Sequence, residues 1–116
     1  MIDCIGFAYE NTNGICIPFA TLSNPNFWSL EEELSIYVEM SKVIKHRNIQ
    51  ITGQNFSYDS AFIRKFWLIE CNAEVDTMIL HHALYNNMQK DLAFLASIYC
   101  ENYTYWKDMQ NFGASA

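Results

Sequence analysis

The sequence predicts an α/β fold in which a small mixed sheet, containing an antiparallel hairpin, is flanked by helices. Three observations support this prediction: two short apolar segments meet at an Asn-Gly pair, a capped amphipathic segment follows them, and short strand-like and helical segments then alternate. Such alternation is typical of layered folds built on a partly parallel sheet. The 116 residues suit one small domain, so a single domain over residues 1–116 is expected.

The first two elements form the hairpin. Residues 3–8 and 14–19 are short apolar runs, each typical of a buried strand. Between them lies Asn13-Gly14, and Asn-Gly is a strong signal for a tight turn between antiparallel strands. The two strands are therefore predicted to pair with each other.

The next element is a helix that starts after Ser29. Ser29 followed three residues later by Glu32 has the form of a capping box, in which each residue bonds the backbone of the other. Apolar residues recur behind it at helical spacing, and Lys42 and Lys45 lie at the C-terminal end, where the helix dipole favours positive charge. Capping thus accounts for the acidic residues at the start of this helix.

The remaining elements are shorter. A strand at 48–52 follows the first helix, which suggests a parallel crossover between strands. A helix at 58–67, a short strand at 71–75 and a helix at 77–85 come next. Asp76 is placed to cap the helix at 77–85, and Asp91 starts the last clear helix.

Composition narrows the class of protein. Hydrophobic residues make up 51% of the chain, which argues against intrinsic disorder. The net charge of −6 and the lack of a basic stripe argue against a stand-alone, high-affinity DNA binder. A metal-dependent nuclease stays compatible with this charge, because bound divalent cations offset carboxylates and attract phosphate.

Cysteine usage and hydropathy suggest a cellular location. The four cysteines form no C-x-x-C pair and lie in apolar surroundings, which predicts buried, reduced thiols. No run approaches the ~20 apolar residues of a membrane span, and the N-terminus lacks the pattern of a signal peptide. A cytoplasmic protein without a membrane partner is the expectation.

Three stretches, in this order, carry a resemblance to a known family. They are residues 4–8 with the Ile-Pro strand at 15–19, the segment Gly-Gln-Asn-Phe-Ser-Tyr-Asp at 53–59, and the pair of helical segments at 76–85 and 90–99. Together they resemble the 3′→5′ proofreading exonuclease domain of family A DNA polymerases, especially phage-like members. The resemblance implies a ribonuclease H-like fold, a role in DNA replication in the cytoplasm of a bacterial or phage-infected cell, and a chain truncated so that the first strand of that fold is absent.

The same resemblance implies a chemistry and its residues. The family hydrolyses phosphodiesters with two divalent ions ~4 Å apart, held by a D-x-E, the aspartate of the G-Q-N motif and a late Y-x-x-x-D. Asp59 matches the G-Q-N aspartate and is the candidate catalytic residue and metal ligand. Gln54, Asn55, Phe56 and Tyr58 are candidate substrate-binding residues, beside the 3′ end of a single DNA strand. The implied cofactor is Mg²⁺ or Mn²⁺, or no ion at all in a chain with so few matching ligands.

Most of those ligands are missing from this sequence. No D-x-E occurs, and no Y-x-x-x-D occurs, because Tyr105 and Asp108 are one residue too close together. One carboxylate does not offset the dehydration of two hard cations. The chain by itself is therefore expected to lack useful exonuclease activity. Asp59 has a second interpretation as a helix-start aspartate that accepts backbone N–H bonds.

Without its first strand, the expected sheet leaves the two neighbouring strands with unpaired backbone groups that need a partner. Three outcomes are open: direct pairing of residues 3–8 with 49–53, a strand from another copy, or a strand from a separate chain such as the rest of a split polymerase. A homo-oligomer or a complex with the missing polymerase segments is the favoured outcome. Two functions remain: an exonuclease fragment completed in trans, or a non-catalytic assembly module derived from that domain.

Overall fold

The computed structural model of the chain describes residues 1–10 and 12–105. It confirms a mixed α/β architecture with an antiparallel hairpin and four helices. The contacts divide it into two compact units. The first contains Met1–Ile51 and Phe56–Ala73, and the second contains Thr52–Asn55 with the described residues from Glu74 onward. The expected single domain stays a prediction.

The hairpin belongs to the first unit. Strand β1 is Cys4–Ala8 and strand β2 is Gly14–Pro18, paired antiparallel with Cys4 opposite Pro18 and Ala8 opposite Gly14. The predicted hairpin is thus confirmed, with each strand one residue shorter than expected. Alternate residues of β1 are half-buried, as the period of two in a strand requires.

Helix α1 (Leu30–Lys45) follows in the same unit and begins at the predicted capping box. Glu32 N donates to Ser29 Oγ at 3.3 Å, and Ser29 N donates to Glu32 Oε2 at 2.9 Å. These two bonds satisfy backbone donors that a helix otherwise leaves free at its start. The capping box that the sequence predicts at Ser29 and Glu32 is therefore confirmed.

Helix α2 (Phe56–Trp67) completes the first unit together with the chain that follows it. Ile63, Ile69 and Cys71 form its buried cluster, and Ile69 is fully buried. Half-buried apolar residues pack around them, among them Tyr37, whose hydroxyl donates to Trp67 O at 3.0 Å. This small apolar cluster fixes α2 against the rest of the first unit.

The second unit contains short strands and two short helices. Strand β3 (Thr52–Gly53) pairs in parallel with strand β4 (Val75–Asp76). Helix α3 (Thr77–Leu84) and helix α4 (Leu92–Tyr99) begin after the predicted caps Asp76 and Asp91. Asp76 accepts from Met78 N at 2.9 Å, and Asp91 accepts from Phe94 N at 3.1 Å.

The strand predictions need correction in three respects. The strand expected at 48–52 is limited to Thr52–Gly53, and the one expected at 71–75 is Val75–Asp76. The strands of the described residues form two separate two-stranded sheets, one antiparallel and one parallel, rather than one mixed sheet. Direct pairing of 3–8 with 49–53 is likewise not found there. Pairing partners far away along the chain decide these bounds, and local composition does not encode them.

Within residues 1–10 and 12–105, no helix combines the length and the apolar character that crossing a bilayer requires.

Candidate functional site

The segment from Gly53 to Asp59 forms a corner between a strand and a helix, as the sequence predicts. Strand β3 ends at Gly53, and helix α2 starts at Phe56, two residues before the expected start at Tyr58. Between them Asn55 has φ 51°, in the left-handed region. Asn adopts this conformation more readily than most residues, which accounts for an asparagine at this position.

In the second unit, the carboxylate of Asp76 holds the first half of this corner. Its Oδ1 accepts from Asn55 N at 3.0 Å and from Met78 N at 2.9 Å. One oxygen therefore caps α3 and also fixes the backbone at Asn55, 21 residues earlier in the chain. The cap was predictable from the Asp-Thr pair, but no local signal reveals the bond to Asn55.

The side chain of Gln54 is bound at both ends of its amide. Its Nε2 donates to Lys90 O at 2.7 Å, and its Oε1 accepts a short hydrogen bond from the Thr77 hydroxyl. The same hydroxyl lies 3.3 Å from Gly53 O. Gln54 thus links β3 to the start of α3 and to the loop before α4. Both polar atoms of its amide are therefore hydrogen-bonded within the protein. The resemblance, in contrast, implies that this side chain contacts a substrate.

The second half of the corner belongs to the first unit. Phe56 is half-buried and packs against the apolar cluster around Ile63. Tyr58 is 64% exposed, and its ring lies 4.9 Å from that of Phe62 on the same helix face. Of these two candidate substrate-binding residues, Tyr58 is therefore the one whose ring surface solvent can reach.

Asp59 is exposed at the fourth position of α2. A carboxylate in the first turn of a helix interacts favourably with the helix dipole. In the part of the chain that the structure describes, the single ion pair is Lys42 with Glu39, so Asp59 has no cationic partner there. Asp59 is available to an external cation, and it is the one carboxylate of the Gly53–Asp59 segment.

Metal-binding capacity follows from the number of ligands that converge. Among residues 1–10 and 12–105, no group of three or more His, Cys, Asp or Glu side chains could hold a metal ion. Asp108, considered above as part of a late Tyr-Asp motif, lies outside the described residues. Asp59 and its described neighbours thus do not fit a two-ion centre, which needs several oxygen ligands for each ion.

His81 is the buried polar side chain of the second unit. It is 4% exposed, and its ring lies among those of Tyr85, Phe94 and Tyr99. Its Nδ1 is 3.2 Å from the Tyr99 hydroxyl, while its Nε2 has no hydrogen-bond partner in the described residues. Adjacent helical residues point ~100° apart, and His82 is accordingly exposed. The pair therefore does not converge on one metal ion.

Comparison of this chain with protein-family models, with curated proteins and with solved structures finds no match.

Proposed function

We propose that this chain is part of a 3′→5′ proofreading exonuclease domain with a truncated ribonuclease H-like fold, and that it is inactive by itself. In this proposal Asp59 supplies one ligand to a Mg²⁺ or Mn²⁺ ion. The remaining ligands come from polymerase segments outside this chain. The substrate class is the 3′ end of single-stranded DNA.

The observation that carries the proposal is the strand-to-helix corner at Gly53–Asp59, with an exposed carboxylate in the first turn of α2. The resemblance requires the G-Q-N motif at such a corner, since its aspartate must project from a rigid element toward the metal. The left-handed Asn55 gives a physical reason for an asparagine at that position. The hairpin before α1 and the helices after β4 follow in the order that the resemblance requires.

The inactivity of the chain alone rests on charge and coordination. Mg²⁺ holds its water strongly and demands about six oxygen ligands, so a single carboxylate leaves the ion in solution. Without the ions, neither the attacking hydroxide nor the leaving oxygen is stabilised. The acidic net charge of −6 further weakens binding of DNA phosphates in the absence of cations.

The test is an exonuclease assay of the purified chain with Mn²⁺ and a 5′-labelled single-stranded oligonucleotide. We expect no shortening of the oligonucleotide beyond the level seen with Asp59→Asn. Shortening that is lost in Asp59→Asn would overturn the proposed inactivity. Shortening that persists in that variant would point to a contaminating nuclease or to another site, and would remove the role proposed for Asp59.

A second measurement tests the substrate class itself. Backbone amide signals of Tyr58 and Asp59 should shift in NMR spectra when a large excess of the same oligonucleotide is added with diamagnetic Mg²⁺, because weak binding is measurable at such concentrations. Signals around Ser29, at the start of α1, serve as the internal control and should stay in place. Unchanged signals at Tyr58 and Asp59 with a large excess of DNA would contradict an exonuclease origin of this corner.

A second function, that of an assembly module without catalysis, is favoured by the exposed faces of the helices. On α2, Tyr58, Phe62 and Phe66 lie at successive turns and are 64%, 37% and 41% exposed. Their rings form a continuous row, with centroids 4.9 and 5.8 Å apart. A row of large apolar side chains at a surface marks an interaction site more often than a free surface.

Light scattering on the purified chain tests this second function. An assembly module should run as an oligomer, and Phe62→Glu should shift it toward the monomer of 13.5 kDa. Glu39→Lys, an exposed charge change on α1, serves as the control and should leave the mass unchanged. A stable, fully folded monomer would contradict self-assembly and leave a separate polymerase segment as the partner of the exonuclease fragment.

A further inference from the structure

Two cysteines lie near each other on the outer face of the hairpin. In the register of β1 with β2, Cys4 is opposite Pro18 and Cys16 is opposite Gly6. Directly opposed residues of an antiparallel pair share a face, and residues two apart on one strand share it as well. Cys4 and Cys16 are therefore diagonal neighbours on one face of the sheet.

This face is open around both thiols. Cys4 and Cys16 are both exposed, so the burial predicted for the cysteines is wrong here and holds for Cys71 alone. The residue directly opposite Cys16 is Gly6, which has no side chain, and Ala8 and Gly14 are also small. Pro18, opposite Cys4, also lies on this face, while Gly6 leaves the space beside Cys16 open. The opposite face of β1 carries Ile5, which packs against the apolar cluster of the first unit.

The two thiols are close enough to affect each other electrostatically. Desolvation raises the pKa of the Cys4 thiol, and the charges of the neighbouring Cys16 and Asp3 raise it further. A thiol with a raised pKa is mostly protonated near neutral pH and is a poor nucleophile. This pair is therefore poorly suited to catalysis by thiolate attack.

The distance between diagonal neighbours decides whether two cysteines are better placed for a disulfide bond or for binding a metal ion. Diagonal Cα atoms are typically ~7–8 Å apart across an antiparallel pair. Disulfides have Cα separations of about 4.4–6.8 Å, so closing one here would require the strands to move. A metal ion needs less: two thiolate bonds of ~2.3 Å each can bridge sulfurs up to ~4.6 Å apart. Because Cys4 and Cys16 share one face of the hairpin, their side chains can turn toward each other and bring the two sulfurs within that span.

We propose that Cys4 and Cys16 form a two-thiolate binding site for a soft monovalent cation of the Cu(I) type. Soft thiolate ligands select Cu(I) over hard cations such as Mg²⁺, and Cu(I) is stable with two ligands in line. Zn²⁺ is less suited, because structural zinc sites take four ligands and no group of three or more metal-binding side chains occurs in the described residues. Binding releases both thiol protons, so the neutral dithiol and Cu⁺ give a complex of charge −1 and two H⁺.

This site is independent of the exonuclease proposal. It lies on the hairpin, away along the chain from the Gly53–Asp59 corner, and it uses sulfur ligands where that corner offers oxygen. Failure of either proposal leaves the other unaffected.

The test is an anaerobic titration of the reduced, full-length chain with Cu(I) delivered as its bicinchoninate complex. We expect one ion per chain to be withdrawn from the chelator. Alkylation followed by mass spectrometry should then show Cys4 and Cys16 protected by Cu(I), while Cys100, which is exposed in the second unit, stays reactive. This protection is read on the unaltered protein and does not depend on the folding of any variant.

Variants separate this site from general thiol binding. Cys4→Ser and Cys16→Ser should each weaken Cu(I) binding by at least ~10–100-fold, the loss seen even for outer-shell partners of a metal. The matched control Cys100→Ser removes an exposed thiol and should leave the affinity unchanged. Gly6→Val keeps every thiol but places methyl groups beside Cys16. An added Cβ meets only Ile15 O at 3.9 Å. Valine is also favourable in strands, so the hairpin should fold while the site weakens.

Three results would overturn the proposal. The first is equal Cu(I) affinity in Cys4→Ser and the unaltered chain. The second is a loss of binding in Cys100→Ser. The third is a pair that ignores Cu(I) but loses two hydrogen atoms to form a Cys4–Cys16 disulfide on treatment with oxidised glutathione, which is itself reduced to two thiols in the exchange.

Discussion

Ile69 in the first unit and Asp76 in the second illustrate how differently the two units are held together. Ile69 is fully buried in a cluster of apolar side chains. Asp76 instead uses one carboxylate oxygen to bind two backbone N–H groups that are far apart in the sequence. Apolar burial is non-directional and tolerates small shifts, whereas hydrogen bonds fix the positions of particular atoms.

The same difference divides the Gly53–Asp59 segment. Gln54 and the backbone of Asn55 are bound within the second unit. Asp59, in the first unit, is exposed and has no ion pair among the described residues. A polar side chain whose bonds are made inside the protein can serve a substrate only by breaking them. Gln54 and Asn55 therefore have structural roles in this segment, whereas the carboxylate of Asp59 can bind an external ligand.

The largest expected effect on stability is in the first unit. Ile69→Ala removes a fully buried side chain and should lower the free energy of unfolding by about 2–5 kcal/mol, measured by urea denaturation. Leu68→Ala is the control, because Leu68 is 85% exposed and should matter far less. Similar losses for the two variants would contradict the assignment of the core.

The corresponding change in the second unit is Asp76→Ala. It removes the acceptor of two backbone N–H groups and should lower the free energy of unfolding by about 1–3 kcal/mol in the same denaturation experiment. Asp91→Ala removes a cap with one such bond and should lower it by ~1 kcal/mol. If Asp91→Ala were the more damaging of the two, the linking role of Asp76 would be refuted.

Gln54→Ala sharpens the comparison at a residue with a candidate functional role. Loss of its bonds to Lys90 O and to the Thr77 hydroxyl should lower the free energy of unfolding by ~1–2 kcal/mol. Gln50→Ala, at an exposed position in the first unit, is the matched control and should be nearly neutral. Equal stability of Gln54→Ala and the unaltered chain would contradict the structural role of Gln54 and would favour its candidate role in substrate binding.

The smallest expected effect is a pH dependence at the start of α1. The hydrogen bond from the Ser29 N–H, followed by that with its side chain, lowers the pKa of Glu32. A lowered pKa contributes stability above the ordinary carboxyl pKa, and that contribution is lost as pH falls through the lowered value. Thermal unfolding between neutral and acidic pH should show this loss reduced in Glu32→Gln. Glu33→Gln, in the same turn but outside the capping box, should retain it.

Local signals predicted the helix starts well. Ser29, Asp76 and Asp91 were each assigned as caps from nearby residues alone, and each caps a helix. A cap depends on three or four consecutive residues, so the sequence contains all the required information. The hairpin was predictable for the same reason, because its turn signal, Asn13-Gly14, is local, although Gly14 itself begins β2 and pairs with Ala8.

Features that depend on distant partners were not predictable. The bonds of Gln54 reach 23 and 36 residues along the chain, and no local pattern marks Thr77 or Lys90 as their partners. The strand expected at 48–52 was displaced because β3 is defined by its pairing with β4. Leu68, which has φ 56° just after α2, occupies a position where Gly would have given a signal.

Binding of Mn²⁺ to the isolated chain tests most directly the claim that Asp59 is a lone metal ligand. Calorimetric titration should show no site tighter than about 1 mM, the weak end of carboxylate sites, and Asp59→Asn should behave alike. Two ions bound per chain at micromolar concentration, with both lost in Asp59→Asn, would contradict the account, because the chain would then hold a complete two-ion centre by itself.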